Sequence, residues 1–315
     1  MAQKENGLVN DRRLKLLALA LGMVMCVVLV HPILQGAPAN AQFGGVTQEQ
    51  WNAVRDADFQ KYRPWGRVFQ KFGRPYIGPV GGVLIVLVLV AVAVYLPIFG
   101  FKEGPDPDDD DVHWYTPYER ILHLVLVVTF LILMASGMFI SFAKFIFTPG
   151  PGTGTFMRTM RWLHEWVAFP FIVALLMAFF TWIRYNIVAK YDFQWMLMAG
   201  GYLTPKSKRA TAAHAPAGRF NAGQKFWFWA SFWGGLFVAV SGLLLRFGPF
   251  VESVNTLRIS WLVHAVVAYL LMLGMLAHLF AVLINKGSFS TMVTGTAKRK
   301  WVREHHPNWA ADQNI

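Results

Sequence analysis

Five long apolar runs divide most of the chain, and shorter polar or charged stretches separate them. The runs extend approximately over residues 76–100, 118–147, 160–185, 225–247 and 259–285. Each is long enough to cross a bilayer as a helix, because about 20 residues span the roughly 30 Å hydrocarbon core. The pattern predicts an all-α membrane protein with a four-helix core over residues 118–285 and one extra N-terminal transmembrane helix over residues 76–100.

The N-terminal residues have the pattern of an export signal. A basic start is followed by an apolar run from Leu16 to Val30 and then by Ala39-Asn40-Ala41. This order is typical of a secretory signal that ends in an A-x-A cleavage site. We predict that residues 1–41 are a cleaved signal peptide, with an uncleaved membrane anchor as the alternative because the apolar run is long.

Two polar segments flank the first predicted span. Residues 42–75 interleave aromatic and basic side chains, which predicts an amphipathic extracytoplasmic segment that lies on the membrane or on a partner. Residues 101–117 include the acidic run from Asp106 to Asp111. A run of like charges of this kind predicts a solvated acidic linker.

Composition and charge narrow the class of protein. The chain is 55% hydrophobic with a mean hydropathy of +0.40, which exceeds what a soluble core needs. Its single cysteine, Cys26, excludes a disulfide framework and a thiolate-bound iron–sulfur cluster in this chain, so any such cluster would belong to a partner. The formal charge of +12 comes from basic loops beside apolar runs, which predicts contact with membrane lipid and no nucleic-acid partner.

The distribution of basic residues predicts the sidedness of the spans. Lys and Arg are concentrated in the loop 186–225 and in the tail 286–315. The positive-inside rule places both segments in the cytoplasm and the short loops between core spans outside. The basic segment 42–75 runs against this rule, and a cleavable signal would account for its position outside.

Four histidines in the core spans are candidate metal ligands. His264 and His278 lie fourteen residues apart on the last span, so they face the same side about 21 Å apart in a helix. A lone intramembrane histidine more often hydrogen-bonds between helices than it binds a metal. Here His123 and His164 add two further imidazoles, which gives the ligands for two bis-histidine b haems.

The predicted orientation of the spans determines which histidines pair. His164 and His264 lie near the starts of spans that enter from outside, so this pair would bind an outer haem. His123 lies near the start of a span that enters from inside, and His278 lies near the end of one that leaves inward. That pair would bind an inner haem.

Other positions in the core spans give two further expectations. Gly137 lies at the predicted depth of the outer pair, where a residue without Cβ would let a porphyrin approach. Gly242 is a candidate for a similar role on the third core span, with close helix packing as the alternative. The ionisable residues Glu165 and Lys144 lie near the ends of their spans, so we expect no chain of carboxylates for proton pumping. A non-redox membrane anchor or a transporter is the alternative of a different class.

Two motifs accompany the histidines. They are Phe220-Asn221-Ala222-Gly223-Gln224-Lys225 and a tail that contains Lys286-Gly287-Ser288, Trp301 and His305-His306-Pro307. Over about residues 118–309 the chain resembles the membrane cytochrome b (gamma) subunit of respiratory formate dehydrogenase. The resemblance implies a four-helix cytochrome b with two stacked b haems, whose ligands match His123, His164, His264 and His278.

The resemblance also implies a function in the bacterial inner membrane. In this family a separate molybdenum or tungsten subunit oxidises formate and an iron–sulfur subunit relays the electrons. The cytochrome passes them to quinone (menaquinone or ubiquinone) on the cytoplasmic side. The family's quinone pocket implies that Asn221, Gly223 and Gln224 bind quinone, although the residues alone equally predict a helix N-cap at Asn221. The alternative electron carrier is the cytochrome b subunit of a membrane nickel–iron hydrogenase or a related quinone-linked reductase.

Overall fold

The structure is a computed structural model that describes residues 74–102, 104–146, 153–204, 215–248 and 253–315. The predicted signal peptide 1–41 and nearly all of the amphipathic segment 42–75 lie outside these residues. Those two predictions therefore remain predictions.

Five long helices dominate the described residues, and all five are long and apolar enough to cross a membrane. They are α1 (Arg74–Phe99), α2 (Pro117–Ile146), α3 (Thr153–Trp182), α5 (Ala222–Arg246) and α6 (Val254–Ile284). The predicted all-α membrane fold, with one helix before a four-helix core, is confirmed. The apolar side chains of α1 are largely exposed, as expected for a helix surrounded by lipid.

Short elements connect and follow the long helices. In the described part of the chain, one short α-helix, α4, lies between α3 and α5, and a folded tail follows α6. These elements are α4 (Lys190–Leu197), β1 (Asp111–His113), α7 (Ser288–Thr294), β2 (Thr296–Lys298), α8 (Arg299–His305) and α9 (Pro307–Gln313), with 3₁₀ turns at Ile183–Tyr185 and Ala199–Gly201.

Two of the long helices begin earlier than the apolar runs predicted. Helix α3 begins at Thr153 rather than at residue 160, and α6 begins at Val254 rather than at residue 259. The first turns of α3 are polar, and the Thr159 hydroxyl donates to the Thr155 carbonyl at 3.1 Å. Hydropathy marks the part of a helix that lies in hydrocarbon, whereas the hydrogen-bonded helix continues into the polar interface.

The chain divides into two compact units. Among the described residues, the first unit contains those up to Leu84 and those within Leu126–Leu176 and Trp233–Met272, and the second contains those within Ile85–Val125, Met177–Phe232 and Leu273–Ile315. Each unit holds two of the four candidate histidines.

Glycine allows close helix packing in the first unit. A Cβ on Gly234 would lie 2.8 Å from Leu271 of α6, and one on Gly235 would lie 2.6 Å from Leu175 of α3. Small residues let membrane helices approach in this way, where packing rather than the hydrophobic effect drives association. The adjacent glycines therefore place α5 in contact with both α3 and α6.

In the second unit, the acidic segment and the basic tail fold together. Strand β1 pairs antiparallel with β2, which places Asp111 opposite Lys298. Their side chains approach to 3.3 Å, and the backbone N–H of Lys300 donates to Asp109 Oδ2 at 2.6 Å. The side chains of Asp110 and Asp111 are 77% and 57% exposed, so this part of the linker is both solvated and paired with basic residues almost two hundred positions away in sequence.

A small hydrophobic core supports this arrangement. Val112 and Trp114 on one side and Ala297, Val302 and Ala310 on the other are buried together. The C-terminal tail is therefore folded against the segment around β1 and is more than a run of basic charges. Each segment is too short for hydrophobic periodicity to predict this core.

The second unit also contains buried ion pairs that the sequence analysis missed. Glu119, in the first turn of α2, is 5% exposed. It accepts from Trp182 Nε1 at 3.0 Å and forms an ion pair with Arg219 at 2.9 Å. Asp192 and Lys225 form a second buried pair at 2.8 Å. Both cations come from the loop and helix start around residues 215–225, which ties this segment to α2 and to α4.

Candidate functional site

The first unit brings His164 and His264 together. His164 lies on α3 and His264 on α6, and their ring centroids are 6.1 Å apart with 71° between the ring planes. The second unit brings together His123 of α2 and His278 of α6, with ring centroids 6.5 Å apart and 58° between the planes. These are the two pairs that the sequence analysis expected; their role as ligands remains a prediction.

The spacing of both pairs suits a shared metal ion. A ring nitrogen lies about 1.2 Å from the centre of its imidazole and a bound metal about 2 Å further on, so an axial pair has centroids about 6.4 Å apart. Separations of 6.1 and 6.5 Å agree with that value. Two imidazoles are also the donor set of low-spin b haem.

Glycine makes room for the imidazoles of the first pair. A Cβ on Gly137 would lie 3.2 Å from His164 Cε1, and a Cβ on Gly242 would lie 3.1 Å from His264 Cε1. Both glycines thus lie at the His164/His264 pair, which the sequence had indicated only for Gly137. The group directly against each glycine is the imidazole ring itself, a detail that helix depth alone does not predict.

An aromatic ring supports the second pair. Trp227 stacks on His278 with centroids 5.8 Å apart and 18° between the planes. A Cβ on Gly274 would lie only 2.3 Å from Trp227, so the tryptophan occupies the space that this glycine leaves. Neither residue was predicted from the sequence, although Gly274 lies one helical turn before His278 and therefore on the same face.

The expected quinone-binding motif begins helix α5 as a capping box. The backbone N–H of Asn221 donates to Gln224 Oε1 at 2.9 Å, and the backbone N–H of Gln224 donates to Asn221 Oδ1 at 2.9 Å. The predicted N-cap is therefore present, with reciprocal support. Because a backbone N–H can only donate, both side-chain oxygens are used by the cap and both NH₂ groups remain as donors.

A cavity of about 700 Å³ in the second unit joins the motif to a candidate ligand. It is lined by Asn221, Gly223, Gln224 and His278, together with Trp195, Trp227 and Trp301. This volume and aromatic lining suit a small organic molecule. A Cβ on Gly223 would lie 2.9 Å from Trp195, so Gly223 admits that ring into the wall.

The tail forms another part of the cavity wall. Lys300, Glu304, His305 and His306 line it. The ring of His306 contacts the Gly218 carbonyl at 2.7 Å, and burial lowers the pKa of His306 to about 4. A neutral ring can donate to that carbonyl only from Nδ1–H. Burial also raises the pKa of Tyr202, another lining residue, despite its hydrogen bond from Asn285.

Comparison with known proteins identifies the family. A family model described as prokaryotic cytochrome b561 matches residues 114–295, more than half of the chain. The chain belongs to the prokaryotic cytochrome b561 family. The matched residues include all four candidate histidines and the capping box. This cytochrome is therefore a multi-pass bacterial membrane protein whose family carries b-type haem.

Curated relatives of this cytochrome are subunits of formate dehydrogenases. It is 28% identical to the cytochrome b556(Fdn) subunit of nitrate-inducible formate dehydrogenase from Escherichia coli strain K12, over 61% of this chain and 86% of the relative. It is also 28% identical to the cytochrome b556(fdo) subunit from the same strain, over 64% and 92%, respectively. The cytochrome b556 subunit of Haemophilus influenzae formate dehydrogenase is 28% identical over 62% and 80%.

Proposed function

We propose that this cytochrome is the membrane subunit of a formate dehydrogenase complex. It would anchor a molybdenum or tungsten catalytic subunit and an iron–sulfur subunit, and carry their electrons through two b haems to a quinone. In the proposed orientation the His164/His264 pair lies toward the periplasm. The His123/His278 pair, the loop 186–225 and the C-terminus lie toward the cytoplasm.

The observation that supports this function best is the presence of two separate imidazole pairs with axial spacing. One pair alone would also fit a protein that stores or inserts a single haem. Two pairs carried in part by one continuous helix, α6, fit an electron carrier between two sides of a membrane. A b haem bound at each pair would supply reversible one-electron chemistry.

The residues of the second unit supply the proposed quinone site. The amide NH₂ groups of Asn221 and Gln224 would donate to a quinone carbonyl oxygen, since their own oxygens serve the helix cap. The aromatic side chains of Trp195, Trp227 and Trp301 in the cavity wall would contact the ring plane. Placement beside His278 would keep the acceptor next to the ligand of the inner haem.

Haem stoichiometry tests this proposal. We expect two b haems per chain by pyridine haemochrome analysis of the purified complex, and one in His264→Ala or His278→Ala. His113→Ala is a matched control, because His113 is exposed on β1 outside the spans, and it should retain two haems. A wild-type content of one or none would contradict the proposal.

Co-purification distinguishes the proposed complex from the alternative electron carrier. A tagged chain should recover formate-oxidising activity together with an iron–sulfur subunit. Recovery of nickel–iron hydrogenase subunits without any formate-oxidising subunit would instead assign this cytochrome to a hydrogenase.

A further inference from the structure

The first unit contains the same local arrangement twice, once around each histidine. Ser136-Gly137 of α2 faces His164, and Ser241-Gly242 of α5 faces His264. At His264 the carbonyl three residues before the serine, that of Val238, also lies 2.9 Å from Nδ1. The corresponding carbonyl at His164 is that of Leu133. We call each set of serine, glycine and carbonyl a Ser-Gly cradle.

The hydrogen bonds of each cradle have a defined direction. Ser136 Oγ donates its proton to the Ile132 carbonyl at 2.7 Å, and Ser241 Oγ donates to the Phe237 carbonyl at 2.6 Å. A hydroxyl has a single proton, so the serine oxygen can only accept from the imidazole. The carbonyl of Val238, which contacts His264, can also only accept. Each imidazole must therefore carry its proton on Nδ1, which leaves the lone pair on Nε2.

Distance ranks the acceptors within the two cradles. Ser136 Oγ lies 2.9 Å from His164 Nδ1, within the normal range of a hydrogen bond. At His264 the Val238 carbonyl is the close acceptor at 2.9 Å, and Ser241 Oγ lies further away at 3.3 Å. The serine hydroxyl should therefore matter more at His164 than at His264.

We propose that the two Ser-Gly cradles are positioning devices for the axial ligands of one haem, and that they lower its reduction potential relative to the other haem. This inference rests on the proposed function, in which His164 and His264 bind the outer haem. An acceptor at Nδ1 fixes the tautomer and raises the basicity of a metal-bound imidazole. A more basic ligand favours oxidised iron, so the haem becomes a stronger electron donor.

The other histidine pair provides an internal comparison. Within the residues that the structure describes, neither His123 nor His278 has a hydrogen-bond acceptor from the protein, and the contact of His278 with Trp227 is a ring stack. The two histidine pairs thus differ in a feature that tunes the basicity of a metal-bound imidazole. The difference makes the outer haem the expected low-potential centre.

Potentiometric titration of the haem bands in the purified complex tests the cradles. Ser136→Ala should shift the oxidised-to-reduced ratio of one haem about tenfold toward reduced at a fixed potential, which equals about 59 mV for one electron. Ser241→Ala should give a smaller shift of the same haem. Ser231→Ala is the matched control, because Ser231 also donates to a carbonyl of its own helix, that of Phe228, and it should leave both haems unchanged.

Three outcomes would overturn the inference. They are unchanged potentials in Ser136→Ala, a shift confined to the haem that His278→Ala removes, and a shift of equal size in Ser231→Ala. If Ser136→Ala lacks the outer haem, Ser136→Thr should still bind it, because threonine keeps the hydroxyl. If Ser136→Thr also lacks the haem, the hydroxyl has no role. His164→Ala, measured in parallel, tests whether His164 is a haem ligand independently of the role of the cradle. If that variant keeps both haems, the ligand assignment itself fails.

Discussion

The capping box at Asn221 and Gln224 allows quinone binding to be separated from helix stability. Replacing Asn221 with serine keeps an N-cap oxygen of comparable strength, because serine and asparagine are similarly good caps. The same change removes the side-chain NH₂ group that we assign to the quinone carbonyl. Asn221→Ser should therefore leave folding nearly unchanged and weaken quinone binding.

The expected magnitude follows from the loss of one neutral hydrogen bond. Such a bond contributes about 0.5–1.5 kcal/mol, which corresponds to roughly 2–12-fold in affinity. The KM for quinone in haem reoxidation should rise by this factor while haem content and reduction by formate stay normal. Asn221→Ala should show the same rise together with a stability loss of about 1 kcal/mol, because alanine cannot cap the helix.

The controls define the result that would refute this reasoning. Asn255→Ser changes the same residue type near the start of α6, in the other unit, and it should leave the KM unchanged. Stopped-flow reoxidation of the haem by a soluble quinone analogue measures KM, and thermal unfolding in detergent measures stability. If Asn221→Ser reoxidises with the wild-type KM, the amide is only a cap and the motif does not bind quinone.

Two further predictions concern the second unit. The folded-state pKa of His306 is about 4 and the unfolded value is about 6.5, so the unfolded state binds more protons between them. Stability should fall as the pH decreases through this window, by up to about 3 kcal/mol, and His306→Asn should remove this dependence of the thermal unfolding midpoint on pH. Gly274→Ala should displace Trp227 from His278, because a Cβ would lie 2.3 Å from that ring. The spectrum of the haem at the His123/His278 pair should then change without a change at the other; equal changes in both haems would contradict the local packing.

The sequence predicted the long helices and both histidine pairs because these depend on local and periodic signals. Apolar length marks the spans, and helix direction alone determines which imidazoles share a depth. The same signals could not predict the pairing of Glu119 with Arg219 or of β1 with β2. These contacts join segments about 100 to 190 residues apart, and nothing in either segment indicates its partner.

The Ser-Gly cradles were missed for a different reason. Gly137 was recognised by its position opposite the outer pair, yet serine in a membrane helix usually bonds to its own backbone. Ser136 does so, and that bond is what leaves its oxygen as an acceptor for His164. Only the structure shows that the Ser136 hydroxyl both donates to its own helix and accepts from His164.

Inward electron transfer in the proposed orientation requires a particular order of reduction potentials. In the proposed orientation the membrane potential opposes this transfer by about 2.3 kcal/mol for each 100 mV that an electron crosses. The inner acceptor must therefore lie at higher potential than the outer donor. Hydrogen bonds to His164 and His264 would lower the outer potential, whereas His123 and His278 have no such acceptor among the described residues.

Lys102, Glu304 and His305 line the cavity outside the five candidate spans. Protons for quinone reduction would thus enter from the cytoplasmic water, and formate oxidation outside would release a proton there. Charge separation across the membrane would then need no proton channel within the bundle.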